Sequence, residues 1–318
     1  MNVLIVGGTR FQGRYLVEAL SKNGHKVTVF HKGGHSLGSR PGLTDLIGDR
    51  NNPNDLGKLN GLAFDACIDT CAYFPEQIEN LGKIIKAEKY CLISSVYVYK
   101  NKFSHLTETS ELASIDISSE TRLTSENYGA LKAMCEQTAL SCFSKNCLFI
   151  RPAIIIGPSD HTERMSFWVR MAAEHHKLLA PGSLDRTIQF VDVRDLAEFT
   201  LKLIIDGRSG AINVVGRQYS FKEFLDRLSK LSGNHCQIYK IDWREFNQHH
   251  LDDLPFCYPG KSESYNFDLA KSLGFMDRDL GDSLIDIFEH DQKINFRLEK
   301  YQVLENTILD LFSRMIPI

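Results

Sequence analysis

Residues 1–13 read MNVLIVGGTRFQG, and the order of residue types in that stretch decides the fold. Residues 2–6 form a short apolar run of strand character, and the glycine pair Gly7–Gly8 follows. Residues 11–21 then place Tyr15, Leu16, Ala19 and Leu20 on one side of a helix. A strand that feeds a Gly-rich turn and then a helix suits a nucleotide phosphate. Glycines let the backbone come close to a pyrophosphate, and the free N–H groups and positive dipole end of the helix favour the anion. Strand and helix are both in place around Gly7, Gly8, Thr9, Arg10, Phe11 and Gly13, the context that separates a dinucleotide site from a chance glycine pattern.

Composition narrows the remaining classes. The 318 residues can bury a large core, and 43% hydrophobic with 24% charged residues is ordinary for a globular chain. A net charge of −3 gives no bulk attraction to nucleic acid or an anionic membrane. No apolar run reaches the roughly 18 residues of a membrane span. The opening apolar run leads straight into the glycine turn instead of a cleavage site, so a cytoplasmic location is expected. Eight scattered cysteines form no CxxC pair and are expected to be reduced. The eleven histidines form no HExxH, and adjacent pairs such as His175–His176 point to different sides of a helix, so no metal is expected.

Outward from the turn, residues 26–30 (KVTVF) read as a second strand. His31 and Lys32 then stand where an NAD-selective protein carries an acid for the ribose hydroxyl. With Arg10 in the turn, cations without a carboxylate suit a 2′-phosphate, so NADP(H) is expected over NAD(H). Residues 44–48, 65–70, 90–94 and 147–150 read as further strands, and 75–86 as a helix opened by Pro75. The alternation predicts an α/β fold, a Rossmann-type doubly wound parallel sheet with a smaller C-terminal capping region. Ligands bind beyond the carboxyl ends of such strands, which puts Asp49, Cys71, Ala72, Ser94 and Ser95 on the cofactor side; Arg50 and Pro152, at strand ends, join them. Residues 100–124 read as a polar loop, and 125–143 as a helix with Glu126 in its first turn. Further on come a helix within 161–176, a strand within 185–193, a helix over 194–205, a strand over 211–215, and helical stretches over 221–231 and 279–312. The expected division is a dinucleotide domain over 1–158 with 187–215 returning to it, and a substrate-capping region over 159–186 and 216–318.

Tyr128 and Lys132 lie four apart and so share a helix face. A free tyrosine has a pKa of about 10, and a neighbouring cation lowers it by roughly one to three units. Together with an oxidised nicotinamide, Lys132 makes Tyr128 a donor in one state and a better base in the other. Ser95, just past the fifth strand, can hold a substrate oxygen in line with that tyrosine. Tyr73, Phe74, Ser95, Tyr97, Arg164, Trp168 and Arg186 are the candidate substrate contacts, a mix of aromatic walls and arginines that suits a polar, anionic, ring-bearing molecule.

The segments GGTRFQG, LISSVYVY, ENYGALK, RPAIIIGP, IQFVDVRDLAEF and FDLAKSLGF, in that order, resemble the extended and atypical short-chain dehydrogenase/reductases, the NAD(P)-dependent epimerase/dehydratase group. The resemblance runs over nearly the whole chain. It implies that Ser95, Tyr128 and Lys132 are the catalytic serine, tyrosine and lysine, that Gly7, Gly8 and Gly13 form the cofactor turn, and that Asp49 lies beside the adenine. Arg10 replaces the usual middle glycine and falls where NADP-preferring relatives carry an arginine; this matches the GGTRF subgroup, which includes reductases and RNA-binding relatives. Ile188 stands where nucleotide-sugar enzymes place an arginine for the substrate diphosphate, with Arg186 two residues earlier.

The resulting expectation is an NADP(H)-dependent oxidoreductase. Hydride passes to or from a carbonyl or hydroxyl carbon, Tyr128 handles the oxygen's proton, Ser95 positions the oxygen, and Lys132 holds the ribose and tunes Tyr128. The same residues serve a nucleotide-sugar epimerase or dehydratase that recycles its bound cofactor, and a third reading is a non-catalytic NADP-binding regulatory or RNA-binding protein. The expected partner is a small molecule, with sugars and nucleotide sugars among the candidates. A homodimer is allowed for; a membrane or nucleic acid is not expected.

Overall fold

The computed structural model describes residues 1–101, 105–118, 121–233, 235–257, 264–294 and 297–317. The chain begins β1 (Asn2–Val6), α1 (Phe11–Lys22), β2 (Lys26–His31), β3 (Leu43–Ile47), α2 (Pro53–Leu56), β4 (Ala63–Asp69), α3 (Pro75–Ile84), β5 (Lys86–Ile93), α4 (Tyr128–Phe143) and β6 (Cys147–Pro152). It continues with β7 (Ile154–Ile156), α5 (Arg164–Ala173), β8 (Lys177–Pro181), β9 (Thr187–Asp192), α6 (Val193–Ile205), β10 (Gly210–Val214), β11 (Gln218–Ser220) and α7 (Phe221–Ser229). The last elements are β12 (Gln237–Ile241), α8 (Trp243–Gln248), α9 (Asp268–Ser272), α10 (Leu280–Ile294) and α11 (Glu299–Phe312). Two compact units result. The first holds Met1–Ile155, Val193–Gly216 and Tyr265–Met276; the second holds Ile156–Asp192, Arg217–Ser264 and Asp277–Ile318.

The first unit is built on a seven-stranded parallel sheet in the order β10-β6-β5-β4-β1-β2-β3. Its central strands are runs of buried apolar residues, such as Val3–Val6 and Tyr90–Ile93, as a strand covered on both faces requires. Helices α1 and α6 pack together, as do α3 and α4. Leu4, Phe30, Phe64, Ile78, Leu81 and Tyr90 belong to one core cluster, each such side chain contributing about 1.5–3 kcal/mol by leaving water. The strand order reverses between β1 and β4, where Val6 lies opposite Asp69 at the carboxyl edge. Such a reversal opens the crevice in which this kind of sheet holds its ligands.

The second unit pairs β8 with β12 in parallel and β9 with β11 antiparallel. Its core is aromatic: the Trp168 ring meets those of Phe167, Phe221 and Phe224 edge-on, with centroids 5.6–5.9 Å apart.

Several element limits differ from the sequence reading for local reasons. The helix expected over 75–86 stops at Ile84, because Lys86 already pairs with Ala63 in the sheet. The helix expected from residue 125 starts at Tyr128. Asn127 folds its side chain back, accepting from the Thr124 N–H at 2.9 Å and donating to Arg122 O at 2.7 Å, which holds Glu126 outside the first turn. The stretch 279–312 is two helices, α10 and α11, and residues 295–296 of that expectation lie outside the described residues, as do 102–104 and 119–120 of the expected loop. Strand β9 groups with the second unit through its ladder to β11, whereas Asn266 groups with the first, its carbonyl accepting from Asn213 Nδ2 at 3.0 Å.

Candidate cofactor and active site

The turn after β1 works because it lacks side chains. Gly7 and Gly8 have φ of +97° and +87°, a region that disfavours residues carrying a Cβ. A Cβ on Gly13 would stand 2.4 Å from Gly8 Cα, so the first turn of α1 packs directly on the backbone of the glycine pair. Helix α1 has no side-chain cap at Arg10 and no acid in its first turn, so the N–H groups ahead of Gly13, which itself donates to Arg10 O at 2.9 Å, are left to an external acceptor. These features fit a dinucleotide pyrophosphate.

Around that turn the polar groups sort into framework and exposed residues. Asp69 is fully buried and accepts from Arg50 Nη1 and Nη2 at 2.6 and 2.9 Å, from Tyr90 OH at 2.8 Å and from the Cys71 N–H at 3.1 Å. Burial alone would raise this carboxyl, but the Arg50 charge and these hydrogen bonds outweigh it and hold it below its usual range. Arg50 also donates to Gln77 O at 3.0 Å. Its guanidinium, placed by the sequence among cofactor contacts, is 6% exposed and committed to Asp69 and Gln77. Burial pushes the Cys71 thiol up, with Asp69 adding to the effect, so Cys71 is a neutral wall beside Gly7. Lys32 is exposed and pairs with half-buried Asp49 at 3.1 Å. Arg10 Nε donates to His35 Nε2 at 2.7 Å, and buried His31 pairs with Asp45.

The second group gathers at the carboxyl ends of β4 and β5. Lys132 is 2% exposed, and its Nζ donates to Ala72 O at 2.9 Å and Ile93 O at 2.6 Å, tying α4 to the ends of both strands. Burial lowers its pKa, while Cys135, Asp69 and Glu136 act the other way. An ammonium has three donors, so one N–H of Lys132 remains uncommitted among the described residues. Nζ lies 5.6 Å from the centroid of the Tyr73 ring, and Tyr128, the first residue of α4, packs its ring against Tyr73 and Tyr97 with centroids 6.3 and 6.4 Å apart. A Cβ on Gly129 would stand 2.0 Å from Tyr97 O, and this bare contact brings Tyr128 close to the segment after β5. Phe74, half-buried, donates its N–H to Gln77 Oε1 at the start of α3. Pro152 ends β6 in a buried position.

The two serines after β5 differ in their commitments. Ser94 donates to Glu136 Oε1 at 2.6 Å, and Glu136 holds Arg151 in a buried pair at 2.6 Å, so Ser94 belongs to the framework. Ser95 Oγ accepts from the Tyr97 N–H at 3.2 Å, capping a short 3₁₀ turn and keeping its own proton to donate. Sequence reasoning missed Asp69, Glu136 and His35. An acid at the end of a buried strand and another one turn past Lys132 were the available signals; His35 offered none.

The capping candidates lie in the second unit. Trp168 is 1% exposed and donates to Pro255 O at 3.0 Å, so it is a core residue with no face left for a ligand, contrary to the sequence expectation. Arg186 stacks 3.4 Å from the centroid of Phe221 and donates to Phe256 O at 3.0 Å and to Cys257 Sγ. Arg164 donates to Thr162 and faces the ring of Phe256 at 6.0 Å. Neither arginine pairs with a carboxylate among the described residues. No helix of the described residues is long and apolar enough to cross a membrane.

A bare glycine turn at the switch point of a doubly wound sheet, with a serine, a tyrosine and a buried lysine at the same edge, defines a Rossmann-type dinucleotide-binding protein. Its particular family follows from comparison: the chain belongs to the NAD dependent epimerase/dehydratase family, whose model matches residues 3–216. It is 26% identical over 234 residues to the chloroplast stem-loop binding protein of 41 kDa b of Arabidopsis thaliana, covering 68% of this chain and 59% of the plant protein. The fold is shared with UDP-glucuronic acid 4-epimerase from Bacillus cereus in complex with NAD, at TM-score 0.72 and 18% identity over 93% of this chain and 100% of that one. UDP-glucose 4-epimerase from Thermotoga maritima gives TM-score 0.70 and 16% identity, with the same shares covered.

Proposed function

We propose that the protein binds NADP(H) at the glycine turn and catalyses hydride transfer at a carbonyl or hydroxyl carbon, with Tyr128 as the acid/base. The observation that carries this is the Lys132 anchor. An ammonium bonded to Ala72 O and Ile93 O keeps α4 against the ends of β4 and β5, with Tyr128 above the edge on which Gly7 meets Thr70 and Cys71. Bound nicotinamide supplies or accepts the hydride. Tyr128 gives the substrate oxygen its proton in reduction and takes it in oxidation. Ser95 donates to that oxygen and holds it in line. Lys132 turns its remaining N–H to the ribose and favours the ionised phenol. Tyr73 and Tyr97 enclose Tyr128 and slow the entry of water.

Nucleotide sugars, one of which is present in the Thermotoga structure named above, are the first compounds to test, and small ketones the second. A thermal-shift screen with NADPH present is decisive, because a ligand at 100 Kd stabilises by about 2.7 kcal/mol. Nucleotide retained through purification, with turnover that needs none added, assigns cofactor-recycling epimerase or dehydratase chemistry; exchange with free NADPH and net oxidation at 340 nm assigns a reductase.

The likeness to a stem-loop binding protein supports a second reading, in which this fold binds RNA. Salt-sensitive RNA binding that persists in Tyr128→Phe is its signature.

A further inference from the structure

The end of α5 and the buried side of α11, both in the second unit, bring three candidate metal ligands together. His175 and His176 read in the sequence as neighbours on a helix, but α5 stops at Ala173 and His176 has φ of +52°. His175 therefore lies outside the helix, and its Nε2 donates to Glu305 Oε1 at 2.6 Å, 130 residues further on. Glu174, the exposed C-cap of α5, completes the group. One ligand atom from each of Glu174, His175 and Glu305 lies within 4.8 Å of the other two. The carbonyl end of a helix favours a cation at this place.

Two further observations point to a cation. Glu305 is 6% exposed, and its Oε2 has no hydrogen-bond partner among the described residues. A buried carboxylate oxygen without a donor is costly, and a metal ion repays that cost. The charge now facing the two carboxylates is Arg297. Its Nη2 donates to Glu174 Oε2 at 2.6 Å, but its Nη1 stands 3.6 Å from Glu305 Oε1, beyond a hydrogen bond. The Arg297 side chain is 32% exposed and borders a cavity of about 110 Å³ that Glu174, Asp291 and Gln292 also line, so the guanidinium has room to withdraw.

We propose that Glu174, His175 and Glu305 bind one Zn²⁺ ion, with a water in the fourth position, as a clip between α5 and α11. One imidazole nitrogen with two carboxylates suits Zn²⁺, whereas Mg²⁺ and Ca²⁺ take oxygen ligands. A tetrahedral Zn²⁺ holds its ligands at about 2.0–2.2 Å, which sets them about 3.4 Å from one another. His175 and Glu305 then part by about 0.8 Å, and the exposed Glu174 carboxylate swings to meet the ion. The Nε2 proton of His175 leaves to solvent as that nitrogen turns from donor to ligand. Arg297 gives up Glu174 to the metal, and the two carboxylates balance its two charges.

The test is calorimetric titration of the metal-stripped full chain with Zn²⁺, and with Mg²⁺ and Ca²⁺ as controls. Fluorescence of Trp168 and Trp243, both in the second unit, confirms that each variant is folded there. Wild type should bind one Zn²⁺ and neither of the other ions. His175→Ala and Glu174→Gln should each bind at least about 100-fold more weakly, beyond what the loss of a supporting partner alone costs. Arg297→Met, which no longer holds Glu174, should bind about 10-fold more tightly, the worth of one hydrogen bond to a charged group. Zn²⁺ held elsewhere on the surface would be indifferent to that change. All eight cysteines are free thiols, so Co²⁺ is added in place of Zn²⁺ to identify the donors. Its spectrum should be that of a tetrahedral ion without thiolate charge transfer. A thiolate band, unchanged binding in both ligand variants, or no binding by wild type overturns the proposal.

Discussion

Replacing Arg50 with methionine tests the framework beneath the glycine turn. The side chain keeps most of its volume but withdraws two N–H groups, at 2.6 and 2.9 Å, from a carboxylate with no exposure to water. Asp69 is left with Tyr90 OH and the Cys71 N–H. Removing one partner of such a buried pair costs about 3–5 kcal/mol. The sign of the pH dependence follows from the carboxyl. In the wild type, burial is outweighed by Arg50 and the hydrogen bonds, and the folded carboxyl sits below its unfolded value. The pair therefore contributes stability that is present above a pH of about 3.9 and lost as pH falls through the lower, folded value. In Arg50→Met burial acts without the cation, so the carboxyl moves up and the variant loses stability as pH rises above that same value. The deficit should be small only below the lowered wild-type value, already present at pH 4.5, and widest near pH 7. Hydrogen exchange of the β4 and β5 amides measures it directly, because both tryptophans, Trp168 and Trp243, lie in the second unit. A deficit independent of pH would refute the reasoning. Arg50→Met with Asp69→Asn should recover most of the loss, and nucleotide binding by that double variant decides whether Arg50 is framework or cofactor contact.

Ser94→Ala should cost about 1–3 kcal/mol, because Glu136 loses a buried donor, while turnover holds; Ser95→Ala should leave the melting temperature in place and lower kcat about 100-fold. Gly13→Ala should abolish nucleotide binding, read by calorimetry, since the added Cβ meets Gly8 backbone that cannot yield. Gly129→Ala should lower both stability and turnover, because its Cβ would displace the Tyr97 carbonyl and with it the packing around Tyr128.

How far the sequence could be read depended on whether a signal was local. The β1 turn was legible because glycines there answer to a backbone geometry formed within thirteen residues. The parallel sheet followed from alternation alone, and helix spacing puts Tyr128 and Lys132 on one face. Partner choice was not legible, because it is set by residues far apart in the chain. Arg50 reads as a cation at a strand end until Asp69, nineteen residues on, is seen to take it. Trp168 and Arg164 share a helix face, yet one side chain is sealed in an aromatic core and the other is not. Ser94 and Ser95 are indistinguishable until Glu136 claims one of them.

The most direct test is the rate of hydride transfer in Tyr128→Phe, followed at 340 nm with a substrate from the nucleotide-sugar and ketone screen. The variant should bind NADP(H) as tightly as the wild type and transfer hydride about 100- to 10,000-fold more slowly, the contribution of a positioned acid/base. Wild-type rates in that variant would show that the phenol does not move the proton.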